Sequence, residues 1–196
     1  MFSLGASAQA AQVTRFKLKD HSLIANLEDA SDDGCFVTQT SVRFAEAVIF
    51  EDGDKTIQPP TTTIEVDYAN ACTGDTLTLT GGTTVQTFHI AGDLSTASLS
   101  AVVPVSDGVS SATVTLNLTW TANAPLQEAK DKTRTRDGNT VTVEKVDFQV
   151  RTADIGGTAT TTLPTSEGPL AVDLARFPEG GTIGKDADGE RTITRK

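Results

Sequence analysis

Two runs decide the fold: Ala97-Ser98-Leu99-Ser100-Ala101-Val102-Val103-Pro104-Val105, and Ala112-Thr113-Val114-Thr115-Leu116-Asn117-Leu118-Thr119-Trp120-Thr121. In the first, Ala97, Leu99, Ala101, Val103 and Val105 occupy every second position. In the second, Ala112, Val114, Leu116, Leu118 and Trp120 alternate with threonine and asparagine. Successive side chains of a strand point to opposite faces, so each run buries one face and wets the other. Between them Ser106-Asp107-Gly108-Val109-Ser110-Ser111 has the length of a hairpin loop, and Asp-Gly accepts the positive φ of a tight turn. The pair reads as an antiparallel hairpin.

Asp-Gly recurs at Asp33-Gly34, Asp52-Gly53, Asp137-Gly138 and Asp188-Gly189, and each is predicted to be a turn. The β-like runs between them cover residues 23–27, 36–44, 63–68, 76–80, 85–90, 140–150 and 170–174. In the run 140–150 the apolar parity moves from Val141 and Val143 to Val146, Phe148 and Val150, which predicts a β-bulge near Glu144-Lys145. Fragments also echo one another at an offset of about 76–80 residues, as in Ala25-Asn26-Leu27 against Ala101-Val102-Val103 and Gly92-Asp93-Leu94 against Val172-Asp173-Leu174. The expectation is one all-β domain over 13–196, an antiparallel β-sandwich of about ten to twelve strands. Half-repeats at 20–95 and 96–180 would make it an internal duplication.

Composition agrees. Hydrophobic residues make up 37% and charged residues 21%, enough for a packed interior in one domain. With 26 acidic against 16 basic residues the net charge is −10, which disfavours phosphate backbones and so argues against general nucleic-acid binding. No apolar run approaches the roughly 20 residues of a transmembrane helix. Residues 1–12 read as the remnant of a signal peptide or a short tail, because Ala8-Gln9-Ala10 is a small-x-small cleavage pattern. The two cysteines, Cys35 and Cys72, each stand beside a turn signal, as paired thiols of exported β domains do. Closing the loop between them contributes roughly 3–4 kcal/mol on the chain-entropy estimate. Both features point to a secreted or periplasmic protein.

Gly34-Cys35, Cys72-Thr73-Gly74, and Asn117-Leu118-Thr119-Trp120-Thr121 with Asp93-Leu94 upstream resemble uncharacterised exported bacterial proteins that share a Gly-Cys, a later Cys-x-Gly and an Asn-Leu-Thr-Trp-Thr strand. The resemblance spans most of residues 20–150. It implies export and β architecture, and brings no activity with it.

Few residues are left for chemistry. Lys130, Lys132, Arg134 and Arg136 fall at every second position, which on a strand puts four cations on one face, toward an anionic glycan, lipid head group or phosphate. The plain alternative is a solvated arm whose charges blunt a sheet edge. Asp29, Ser31 and Asp33 place oxygens at the first, third and fifth positions of a calcium-type loop, but position twelve is Thr40, so no EF-hand is complete and at most a structural calcium ion remains. The segment 185–190 has the same character. His21 and His89 are isolated, and no Gly-x-Ser-x-Gly elbow is present. With one Trp and one Tyr there is no aromatic platform for sugars, and Trp120 continues the apolar face as a core anchor. Asn117-Leu118-Thr119 is a glycosylation sequon if Asn117 faces solvent. No catalytic residue and no cofactor is expected. The reading is a non-enzymatic exported β-sandwich protein that acts by binding or by interaction at the cell surface; its partner is unknown, with an anionic glycan or surface component, or the protein itself, as the candidates. The alternatives are an extracytoplasmic hydrolase acting on glycans and a subunit of a surface assembly.

Overall fold

The computed structural model describes residues 11–194; Ala8-Gln9-Ala10 lies outside them. The described chain is all β, with eleven strands and no helix. In chain order these are β1 (Gln12–Ala30), β2 (Phe36–Glu51), β3 (Asp54–Asn70), β4 (Thr76–Thr83), β5 (Gln86–Ile90), β6 (Thr96–Ser106), β7 (Ser111–Ala122), β8 (Gln127–Asp137), β9 (Thr140–Thr165), β10 (Gly168–Asp173) and β11 (Phe177–Thr194). The two runs that opened the sequence reading are β6 and β7, registered Leu99 to Leu118 and Val103 to Val114.

All pairings are antiparallel and belong to one sheet. They form a ring: β1 pairs β2, β2 pairs β3, β3 pairs β4, β4 pairs β6, β6 pairs β7, β7 pairs β9, β9 pairs β11, and β11 returns to β1. The opposed layers of the expected sandwich are therefore walls of one closed sheet, while β5, β8 and β10 each keep one unpaired edge. The seam between β4 and β6 is short, with only Thr80 opposite Ser106 and Gly81 opposite Val105. A Cβ on Gly81 would overlap the Pro104 carbonyl, so only glycine lets the two strands meet.

Inside the ring the alternating apolar side chains fill the space. Leu23, Val42, Phe44, Leu79, Leu99, Val103, Leu116, Leu118, Leu163 and Ile183 are fully buried. Trp120 is 1% exposed and its indole N–H donates to the Ile24 carbonyl at 2.8 Å, so the predicted core anchor also ties two walls together. Gly181 makes room for it, since a Cβ there would crowd the indole nitrogen and the Ile24 carbonyl. Cys35 and Cys72 are joined with Cα atoms 5.2 Å apart, linking the β1–β2 turn to the β3–β4 turn.

Two local expectations are corrected. Asp188-Gly189 is no turn: both residues lie within β11, with Gly189 opposite Lys17 on one side and Lys145 on the other. No bulge occurs at Glu144-Lys145, where β9 keeps continuous register with both β8 and β11. The register shifts lie instead at Asn26/Leu27 and at Ala45/Ala47. The parity change in β9 needs no bulge because neither face of that segment is packed, and apolar residues are then free of a strict period.

That segment belongs to an extension of the sheet. Beyond the packed ring, residues 12–21 of β1, 140–151 of β9 and 185–194 of β11 continue to pair. The outer ends of β2 and β3 flank them on one side, and β8 flanks them on the other. The order across this open sheet is β8, β9, β11, β1, β2, β3.

Candidate functional site: a cationic inner face

The face of the extension follows from the register. On β1 the odd residues Leu23, Ala25 and Leu27 point into the core, and the same parity carries outward through Lys19, Lys17 and Arg15. Residues directly opposite in a ladder share a face. Lys17 therefore sits in a row with Gly189, Lys145 and Lys132 toward one edge and with Phe50 and Lys55 toward the other. The next row holds Arg15, Arg191, Val143 and Arg134, and the one on the core side holds Lys19, Ala187, Asp147 and Lys130. Arg136, Arg151 and Lys185 have the same parity. Among the described lysines and arginines, only Arg43 and Arg176 lie elsewhere. The core-facing side of the sheet changes from apolar to cationic where it leaves the ring.

The opposite face of the extension carries the acids. Asp20, Asp186, Asp188, Glu190, Glu144, Asp131 and Glu51 all have outward parity. Asp20 stands directly opposite Asp186. Burial, then the mutual repulsion of neighbouring carboxylates, raises the Asp186 pKa. Asp20 is raised by burial too, against a backbone hydrogen bond from Asp186 that lowers it. A chain of net charge −10 has thus separated its charges by face.

The inner cations are little neutralised. Among the described residues Lys130 alone of them has a carboxylate within salt-bridge distance, Glu128 at 3.3 Å. Lys132 faces Lys145 and Arg15 faces Arg191 as like-charge cross-strand pairs, an arrangement that costs stability in the free protein. The face lines an open trough of about 920 Å³. Phe50, Val143, Ala187 and Gly189 contribute its apolar part; Asp147, of inward parity, and Asp188 and Glu190, of outward parity, also line it, and Asp147 and Asp188 each have a buried oxygen with no hydrogen-bond partner among the described residues.

The sequence stripe Lys130, Lys132, Arg134 and Arg136 is thus one edge of this site. All four residues are exposed on β8, and Lys132 lines the trough. What the sequence reading missed is the contribution of Arg15, Lys17, Lys19, Lys145 and Arg191. The signal existed in the alternation Arg15-x-Lys17-x-Lys19, but joining strands so distant in sequence requires the topology.

The calcium-type triad is occupied otherwise. The Asp33 carboxylate accepts from the Ser31 hydroxyl at 2.5 Å and from the Cys35 N–H at 3.0 Å, which holds its pKa down. Asp29 is buried, and the Arg176 guanidinium approaches it at 3.8 Å while binding Asp32 at 2.6 Å. No group of three or more His, Cys, Asp or Glu placed to hold a metal occurs among the described residues. His21 bonds Glu46 at 2.9 Å, and His89 is exposed on β5. Asn117 of the sequon is exposed and accepts from Ser100.

The fold and site define an all-β protein with a closed, packed end and an open, cationic-faced extension. No family model matches the chain, and no curated protein does. Among solved structures it is similar at a TM-score of 0.30 and 10% identity to a protein from Nitrosomonas europaea provisionally named AttH, over 92% of this chain and 52% of that one. The chain spans about half the length of that protein.

Proposed function

We propose that the chain is an exported, non-enzymatic binding protein that captures an anionic component of the cell surface or its surroundings on the cationic inner face. The observation that carries this reading is the segregation of nearly unpaired cations onto one face against the net charge. Folding alone would disperse them or pair them with some of the 26 acids. The joined cysteines support an oxidising compartment. No helix of the described chain is long and apolar enough to cross a membrane.

The test is binding of dextran sulfate against neutral dextran. Capture of the sulfated polymer alone, weakening steeply as salt shortens the screening length to about 8 Å near physiological strength, is expected. Equal indifference to both polymers sinks the reading. A hydrolase of glycans has one observation in its favour, the raised Asp20 and Asp186 pair on the outer face. It predicts glycan cleavage that Asp20→Asn abolishes.

A further inference from the structure

We infer that the ligand of the trough is a single-chain amphiphile with an anionic phosphate or carboxylate head. This deepens the binding reading above and rests on it. Among the described residues the trough lining contains no Ser, Thr, Asn, Gln, His, Tyr or Trp; its polar side chains are the cations and the carboxylates of Asp147, Asp188 and Glu190, so it has no neutral hydrogen-bonding side chain and no indole or phenol platform for a sugar ring. It offers Phe50, Val143, Ala187 and the aliphatic stems of lysines, whose ammonium groups can reach to the rim while the stems stay on the floor. An apolar floor under a cationic rim suits a chain lying along the strands and a head held by the charges.

Gly189 shapes the floor. It lies between Lys17 and Lys145, which are two strand spacings or about 10 Å apart, and it leaves the lane between them without a side chain. Its backbone does not demand glycine. It has an ordinary strand conformation, and the nearest atom to an added Cβ is the Phe16 carbonyl oxygen at 3.8 Å, an ordinary contact. A strand interior without a steric need for glycine otherwise favours a larger residue. Ala187, next along the same face, is small as well. The open lane is thus a property of the side chains chosen, not of the ladder.

The acidic outer face limits how the site is reached. It opposes an extended anionic surface approaching from that side and leaves the trough as the place where an anionic head is attracted.

The test uses the full chain with dodecyl phosphate below its micelle concentration, followed by titration calorimetry and native mass spectrometry. Inorganic phosphate, dodecyl maltoside and dextran sulfate are the comparison probes. One-to-one binding of dodecyl phosphate, at least about tenfold tighter than either inorganic phosphate or dodecyl maltoside, is expected. Gly189→Leu should remove the roughly tenfold advantage of dodecyl phosphate over inorganic phosphate. If that variant does not fold, Phe50→Gln is read the same way. Dodecyl phosphate bound no better than inorganic phosphate, or unaffected by filling the lane, overturns the inference. Retained dextran sulfate binding then leaves the binding-protein reading standing, whereas loss of both removes both. Concentration-dependent self-association that blocks dodecyl phosphate would mean that the acidic outer face of a second copy fills the trough, and would also overturn the inference.

Discussion

The same strands build two regions with opposite interiors. In the ring, β1, β9 and β11 present the buried side chains of Leu23, Ala153, Ile155 and Ile183 to a shared core. In the extension, the same face of the same strands presents Lys17, Lys145 and Arg191 to an open trough. The hydrogen-bonded ladder runs through the boundary without a break on β9 and β11. Backbone pairing is therefore indifferent to what the inner face carries. The ring supplies stability and register, and the extension is free to hold side chains that folding would not choose.

Breaking the ring should have the largest effect. Trp120→Ala removes a side chain that is 1% exposed and orphans the Ile24 carbonyl, which it caps across the core. It should destabilise the protein by about 3–5 kcal/mol in chemical denaturation. Val143→Ala in the extension, which removes a side chain from an unpacked face, should cost far less. Equal losses would mean that the extension packs as tightly as the ring. Next comes the cross-link. Replacing Cys35 and Cys72 together by serine should cost about 3–4 kcal/mol, since it frees two turns that lie at the closed end. The loss should leave dextran sulfate binding unchanged when measured well below the melting temperature, because the trough lies on the other side of the core.

How far the sequence carries one is itself set by this division. The β6–β7 hairpin was legible to within a residue at each strand end, since strict alternation leaves a strand only one way to bury Leu116, Leu118 and Trp120. Four Asp-Gly turns were legible for a local reason, the positive φ at Gly34, Gly53, Gly108 and Gly138. The fifth was not, because Asp188-Gly189 takes its conformation from the two strands that flank it. Ring closure was illegible: the short contact of Gly81 with Val105 and the return of β11 to β1 are long-range pairings with no local mark. The cationic stripe of β8 could be read, but the site could not, since it is assembled from segments near both ends and the middle of the chain.

Smaller effects follow in the extension. Lys132→Gln combined with Lys145→Gln removes a like-charge cross-strand pair, so the fold should be unchanged or stabilised by about 0.5 kcal/mol. The same variant should bind dextran sulfate several-fold more weakly. A ring residue shows the reverse pattern, stability lost and charge-driven binding kept in the folded fraction. A clear loss of stability in the double variant would place these lysines with the structural residues instead.

The smallest effect sharpens the comparison through pH. Asp20 and Asp186 have raised pKa values in the folded extension, so the folded chain holds protons that the unfolded chain releases. Their contribution is most favourable below the ordinary aspartate value of 3.8 and is lost as pH rises through the raised folded values. The turn carboxylates run the other way. Asp33 is lowered by the Ser31 hydroxyl and the Cys35 N–H, and Asp107 by the N–H groups of Ser110 and Val109. They support the fold above 3.8, and that support fades as pH falls through their lowered values. Asp20→Asn with Asp186→Asn should therefore flatten the decline in melting temperature on the rising-pH side while leaving the acid limb where it is. Asp33→Asn with Asp107→Asn should soften the acid limb alone. If the first pair instead shifted the acid limb, the outer carboxylates would be stabilised as anions, and the picture of an acidic face held at the expense of its own repulsion would fail.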